Sequence, residues 1–215
     1  MKRIAALTLL TLLYSLFINT LSAQSNPHKE YISANSIDIF NKYVNYIYAS
    51  ASISADDLES RGKAIDSNFR EEVIILTAKF FLGTPYVAHT LEKEPEGLVI
   101  NLEELDCTTF MENVIVLATC FIENKLDFEN YKDLLKRYRY RDGRIEDYSS
   151  RLHYTTDWFY HNQKNGFIKD ITKECNGVPF IKELNIISKN PDKYKQLKNN
   201  MALVKKIELI EKEIN

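Results

Sequence analysis

Apolar residues recur at helical spacing along most of this chain and alternate at strand spacing almost nowhere. Residues 36–50 place Ile37, Phe40, Val44 and Ile47 on one face, which predicts a helix. A second, short helix is predicted over 55–61. Residues 68–82 carry Phe69, Val73, Leu76 and Phe80 at i, i+4, i+7 and i+11, an amphipathic helix closed by Gly83 with Pro85 just beyond. Asp106 then opens a helix whose buried face is expected to be Phe110, Val114, Leu117 and Phe121. Residues 130–137 read as a helix with acids early and bases late, as the helix dipole favours. Residues 149–162 read as one aromatic-rich helix. From 191 to the end two more helices are expected, the last with Leu203, Ile207, Ile210 and Ile214 on one face.

Extended structure is sparse by comparison. Residues 24–35 are polar and read as extended, and one short strand is expected at 98–102 within a loop region spanning 84–105. Arg141-Asp142-Gly143 is a turn signal, expected to end another short strand. Residues 172–187 mix turns with extended pieces. The predicted class is α+β, mostly helical with few strands. Glycine supplies only 6 of 215 residues, well under the usual share of about 7%. Together with a last helix that shows no stop signal, this predicts the helical part of something larger. There is no repeat, low-complexity tract or linker.

The first 23 residues stand apart. Lys2 and Arg3 precede an apolar run from Ile4 to Ile18, and Leu21-Ser22-Ala23 supplies small residues before Gln24. That is the layout of a signal peptide cleaved after Ala23, leaving one domain over 24–215 that sits outside the cytoplasm. The run is shorter than the ~20 residues a spanning helix needs, and no later run could span. Losing Lys2 and Arg3 leaves 26 basic residues against 30 acidic, a net charge of −4. With no single-sign run, nothing points to nucleic acid as a partner.

Candidate chemistry falls in three segments. Asp106 as N-cap puts Cys107 in the first helical turn, where free N–H groups and the dipole favour a thiolate, the attacking form of cysteine. The competing reading is a buried structural cysteine. Asp106 is itself a carboxylate that would oppose the thiolate, depending on where its side chain points. Tyr86, on a Gly83–Pro85 turn, could project into a cleft or pack in the core. In the third segment His153, Tyr154, Asp157 and Trp158 fall within six residues. On a helix, His153 and Asp157 would share a face, as would Tyr154 and Trp158. They could form a saccharide platform, or a surface helix with aromatic anchors. Cys120 and Cys175 read as core or disulfide. On one helix Cys107 and Cys120 would be roughly 20 Å apart, too far for a bridge. Metal-ligand spacing is absent, as are G-x-S-x-G and phosphate-loop patterns.

These segments in this order resemble the N-acetylmuramoyl-L-alanine amidase-like family, a branch of the NlpC-type cysteine amidases with a papain-like core. The resemblance rests on Phe81-Leu82-Gly83-Thr84-Pro85-Tyr86-Val87-Ala88-His89-Thr90-Leu91-Glu92, Leu105-Asp106-Cys107-Thr108-Thr109-Phe110, Tyr140-Arg141-Asp142-Gly143 and Ser150-Arg151-Leu152-His153-Tyr154. It implies Cys107 as a nucleophile that forms an acyl-enzyme, with its own N–H among the oxyanion donors. It implies Tyr86 beside the site and the 153–158 segment along the substrate cleft. The implied substrate is peptidoglycan or a muropeptide, cut between N-acetylmuramic acid and L-alanine, with no cofactor. The base histidine of the family, in a Ser-His-Val-Gly-like motif, and the polar residue that orients it have no counterpart in this sequence. The chain is therefore expected to be C-terminally incomplete and, alone, inactive. His153 could stand in as base, but its helical, aromatic context argues against that. Two alternatives remain open: an inactive or muropeptide-binding remnant, and a γ-D-glutamyl–diaminopimelate endopeptidase.

Overall fold

A computed structural model describes residues 28–51, 58, 67–180 and 182–215. The proposed signal segment lies outside these residues. So does the helix expected at 55–61, apart from Leu58, which is buried. The described residues are mostly helical, with one small parallel sheet, consistent with α+β. None of their helices is long and apolar enough to cross a membrane.

The sheet pairs β1 (Lys29–Ile32) with β2 (Gly97–Ile100), Lys29 opposite Gly97 and Ile32 opposite Ile100. The strand expected at 98–102 thus starts one residue earlier and stops at Ile100. A side chain at Gly97 would run into the Lys29 carbonyl oxygen at 2.2 Å, so close pairing there requires glycine.

Helix α1 (Ala34–Ser50) follows β1 and is capped by Ser33, whose hydroxyl accepts from the Ser36 N–H at 2.9 Å. Its buried face is Ser36, Phe40, Tyr43 and Ile47. The expected face was displaced: Ile37 is exposed and Val44 half-buried. Ser36 is buried because its hydroxyl receives the Leu102 N–H at 3.1 Å and bonds Glu103, tying the loop after β2 to the start of α1. Helix α2 (Ser67–Phe80) buries Val73 and Thr77, with Phe69, Leu76 and Phe80 packed at the core edge. The chain leaves it through Gly83 at φ +88°, a conformation glycine adopts without strain.

Helix α3 (Cys107–Ile122) is the central element, packed against α2 and against α4 (Phe128–Arg139). Val114, Leu117 and Phe121 are buried as expected, but Phe110 is exposed. Polar side chains lock α3 to α4. Tyr131 donates to Asn113 Oδ1 at 2.5 Å, and Asn113 donates to the Thr109 carbonyl at 2.8 Å. Arg139, buried at the end of α4, pairs with Glu112 at 2.7 Å and donates to the Val99 carbonyl of β2 at 2.6 Å.

The Arg141–Gly143 turn forms, with Asp142 and Gly143 at positive φ, but it follows α4 rather than a strand. The helix expected over 149–162 is broken. A 3-10 turn occupies Tyr148–Ser150, Arg151 pairs with Tyr140 through the backbone, and α5 runs only over Thr155–Lys164. Between 172 and 185 the described residues form turns and no strand. The C-terminal part consists of α6 (Ile186–Lys189), a 3-10 turn at Pro191–Lys193 and α7 (Met201–Ile214). Leu203, Val204 and Ile207 of α7 bury a small cluster with Tyr148, Ile187 and Leu197. Ile210 and Ile214 are half-buried, and the inward position beside them is taken by Glu211.

Candidate functional site

Cys107 is the first residue of α3, exposed and unbridged. Asp106 caps the helix from an extended conformation. Its carboxylate accepts the Thr109 N–H at 2.8 Å, while its own N–H donates to the Thr109 hydroxyl at 2.8 Å. Oδ1 of Asp106 is thus committed to the reciprocal cap. Asp106 takes the Thr109 N–H, so the Cys107 and Thr108 N–H groups belong to the unpaired first turn. The Tyr131–Asn113–Thr109 chain of hydrogen bonds fixes that turn from below.

Tyr86 is held beside this turn by its backbone. Leu105 donates to the Pro85 carbonyl at 3.0 Å, and Val87 donates to the Leu105 carbonyl at 3.1 Å. The Tyr86 side chain is 72% exposed. It does not pack in the core, and it stands opposite the residue two positions before Cys107.

A cavity of about 170 Å³ opens at the same end of α3. Asp106, Thr108, Thr109 and Glu112 form one wall. Arg139 and the 151–153 segment form another, and His89, Leu91 and Glu92 close it. Its guanidiniums are paired: Arg139 with Glu112, and Arg151 with Glu92 at 2.9 Å and Glu96 at 3.2 Å. Glu96 also accepts from the Tyr140 hydroxyl at 2.8 Å. Burial pushes its carboxyl up to about 7, against the pull of Arg151 and of the Tyr140 bond. A larger hollow of about 550 Å³ lies beside β1 and β2. It holds none of the residues that the sequence nominates, so the smaller cavity is the better candidate.

The structure separates the four residues of the third segment. His153 and Tyr154 precede α5, so the expected face-sharing pairs do not form. His153 lines the cavity, with Nε2 2.7 Å from the Tyr148 carbonyl and its ring on the Tyr148 ring at 4.1 Å. Burial, reinforced by Arg151, pushes its imidazole down to about 3. Tyr154 donates to Glu211 at 2.6 Å and accepts the Ile187 N–H at 3.0 Å, which docks α7. Asp157 is buried against Arg141 at 2.7 Å and His161 at 3.0 Å. Trp158 is buried in the main core beside Tyr138. The four residues therefore share no common exposed face, because Tyr154, Asp157 and Trp158 are engaged by other parts of the chain. Of the nominated residues, Cys107, Tyr86 and His153 gather at the start of α3.

Sequence reasoning singled out none of His89, Glu112, Arg139 and Arg151. His89 and Arg151 lie in the segments that carry the family resemblance, and His89 adopts a positive φ of 63°. The Glu112–Arg139 pair joins two helices and has no local signal. Cys120 is buried in the core, and burial pushes its thiol up to about 12. Cys175 is exposed, and neither cysteine is bridged. Among the described residues no group of three or more His, Cys, Asp or Glu is placed to hold a metal ion.

The family model described as N-acetylmuramoyl-L-alanine amidase-like matches residues 76–215. Among solved structures, an N-acetylmuramoyl-L-alanine amidase from Bacteroides uniformis ATCC 8492 is 38% identical, with a TM-score of 0.64 over 68% of this chain and 61% of its own. A Bacteroides fragilis protein with a provisional xylanase designation is 36% identical, with a TM-score of 0.61 over 65% of this chain and 61% of its own. The chain thus spans 61% of the length of these solved relatives. No curated protein matches it significantly.

Proposed function

The chain belongs to the N-acetylmuramoyl-L-alanine amidase-like family, and from that premise we propose that it carries the nucleophile of a peptidoglycan amidase site, Cys107. The observation that carries this reading is an accessible thiol at the unpaired N-terminal turn of α3, beside a cavity and an outward-held tyrosine. In the reaction, Cys107 Sγ attacks the carbonyl carbon of the N-acetylmuramoyl–L-alanine amide. The oxyanion is met by the Cys107 N–H, the L-alanine amine leaves with a proton, and water hydrolyses the thioester. The NlpC-type, papain-like core is part of this reading, as is a periplasmic setting inferred from residues 1–23.

The base is the weak point of the site. His153 is a poor candidate: its imidazole is held far below neutral pH, so it is a feeble proton acceptor. This favours, as a second reading, a chain that binds muropeptide without turning it over.

The test is mass spectrometry of N-acetylmuramoyl-L-alanyl-D-isoglutamine incubated with the chain. Release of the dipeptide, lost in Cys107→Ala by at least about 10³-fold, supports the amidase. Equal release by the variant refutes it. Saturable binding with no release supports the second reading. Cleavage of a longer stem peptide at the γ-D-glutamyl–diaminopimelate bond would reassign the reaction.

A further inference from the structure

His153 is held by a bond that permits only one form of its ring. A carbonyl oxygen cannot donate, so Nε2, 2.7 Å from the Tyr148 carbonyl, must carry the proton. The ring is neutral at ordinary pH, which makes Nδ1 an unprotonated acceptor. Nδ1 has no hydrogen-bond partner among the described residues, and His153 lines the cavity that Asp106 and Thr108 border on either side of Cys107. The ring lies against the Tyr148 ring, with centroids 4.1 Å apart and planes inclined by 33°.

The other polar groups of the cavity explain what such an acceptor would meet. Both guanidiniums are committed, Arg139 to Glu112 and Arg151 to Glu92 and Glu96. Neither is a free cation that would draw a carboxylate. Asp106 Oδ1 takes the Thr109 N–H and hydroxyl, and its carboxylate adds negative charge to the cavity wall. Beside the Thr108 hydroxyl and His89, which also line the cavity, His153 adds a neutral acceptor, which suits an N–H or O–H donor and not an anion.

We propose that His153 Nδ1 is the substrate-positioning acceptor of this cavity, taking an amide N–H or hydroxyl of the muropeptide beside the bond presented to Cys107. This deepens, and rests on, the amidase reading above. It gives His153 a binding role in place of a proton-transfer role.

The experiment uses histidine labelled with ¹⁵N in the Cys107→Ala chain, so that substrate stays intact. Long-range ¹H–¹⁵N spectra should show His153 as the Nε2–H tautomer, with Nδ1 shifting towards the hydrogen-bonded range as N-acetylmuramoyl-L-alanyl-D-isoglutamine saturates. N-acetylmuramic acid alone and L-alanyl-D-isoglutamine alone, run separately, show whether sugar or peptide supplies the donor. Two substitutions separate the nitrogens. His153→Gln can keep a donor at the Tyr148 carbonyl but places no acceptor at Nδ1, and should weaken dipeptide binding about tenfold. His153→Asn keeps an acceptor near Nδ1 and should bind more tightly than Gln. An unchanged thermal midpoint in the Gln variant excludes misfolding as the cause. Saturable binding that leaves Nδ1 unmoved, an Nδ1–H tautomer, or equal affinity of the Gln variant overturns the assignment to His153 and leaves the amidase reading standing. No saturable binding of the dipeptide by the Cys107→Ala chain overturns both.

Discussion

Three cysteines in one chain show how far position decides chemistry. Cys107 and Cys175 are exposed, whereas Cys120 sits in the core with its thiol pushed up to about 12 by burial. Alkylation needs both access and thiolate. Iodoacetamide on the folded protein should therefore label Cys107 and Cys175. Cys120 should be protected by on the order of 10³-fold or more, since it reacts only after core opening. Peptide mass mapping before and after denaturation reads this directly, and a Cys107 that labels only after denaturation would remove the nucleophile from the proposal. The placement of Cys107 was legible because its cue is local: an Asp cap ahead of a periodic apolar run marks a helix start. The surroundings of Asp157 and Trp158 were not legible in the same way, because Arg141 and Tyr138 lie about 16 to 20 residues away in sequence, beyond the reach of helical spacing.

Elements repeat that lesson. The 3.6-residue period found α1, α2, α3 and α7, and the charge order found α4, yet the period misplaced the inward face where a polar residue had a buried partner. Ser36 in α1 is held by the Leu102 N–H, and Glu211 in α7 by Tyr154 and by the Ser188 N–H at 3.0 Å. Each takes an inward position that an apolar count gives to a neighbour. The break before α5 escaped detection because it depends on Arg151 pairing with Tyr140 and on Leu152 donating to the Arg139 carbonyl at 3.0 Å. Tyr154, just after that break, is what fastens α7. Tyr154→Phe would strip the buried Glu211 carboxylate of a donor and the Ile187 N–H of an acceptor, a loss of about 1–3 kcal/mol. Because α7 packs in its own small cluster, the cost should appear locally. Amide exchange should speed by about tenfold or more in α7 while α3 keeps its protection. Uniform acceleration, or none, would show that the contact does not dock the helix.

At the scale of the whole molecule, a large core around α1 to α5 and a small one around α7 meet across a polar seam. Arg151 runs through that seam, pairing with Glu92 and Glu96 and lying over the Tyr148 ring at 5.1 Å. The sequence showed the helical class and the start of α3, but not this seam, whose members come from three separate stretches of chain. Glu96 is its most strained member: one carboxylate oxygen is buried without a hydrogen-bond partner, as suits a neutral acid. With its folded value raised from 4.5 to about 7, the native state holds this proton more tightly than the unfolded chain does. Its contribution to stability is full below the unfolded value and is lost as pH rises through about 7. His153 acts in the opposite sense, losing its contribution as pH falls from 6.5 towards 3. Glu96→Gln mimics the protonated acid at every pH and leaves His153 in place, so the difference between the two proteins isolates Glu96. Between pH 5 and 8 the parent should lose stability relative to the variant by up to about 3 kcal/mol, measured by urea unfolding at each pH. Parallel pH profiles would mean that Arg151 keeps Glu96 ionised throughout, and that the seam is an ion pair and not a proton-sharing contact.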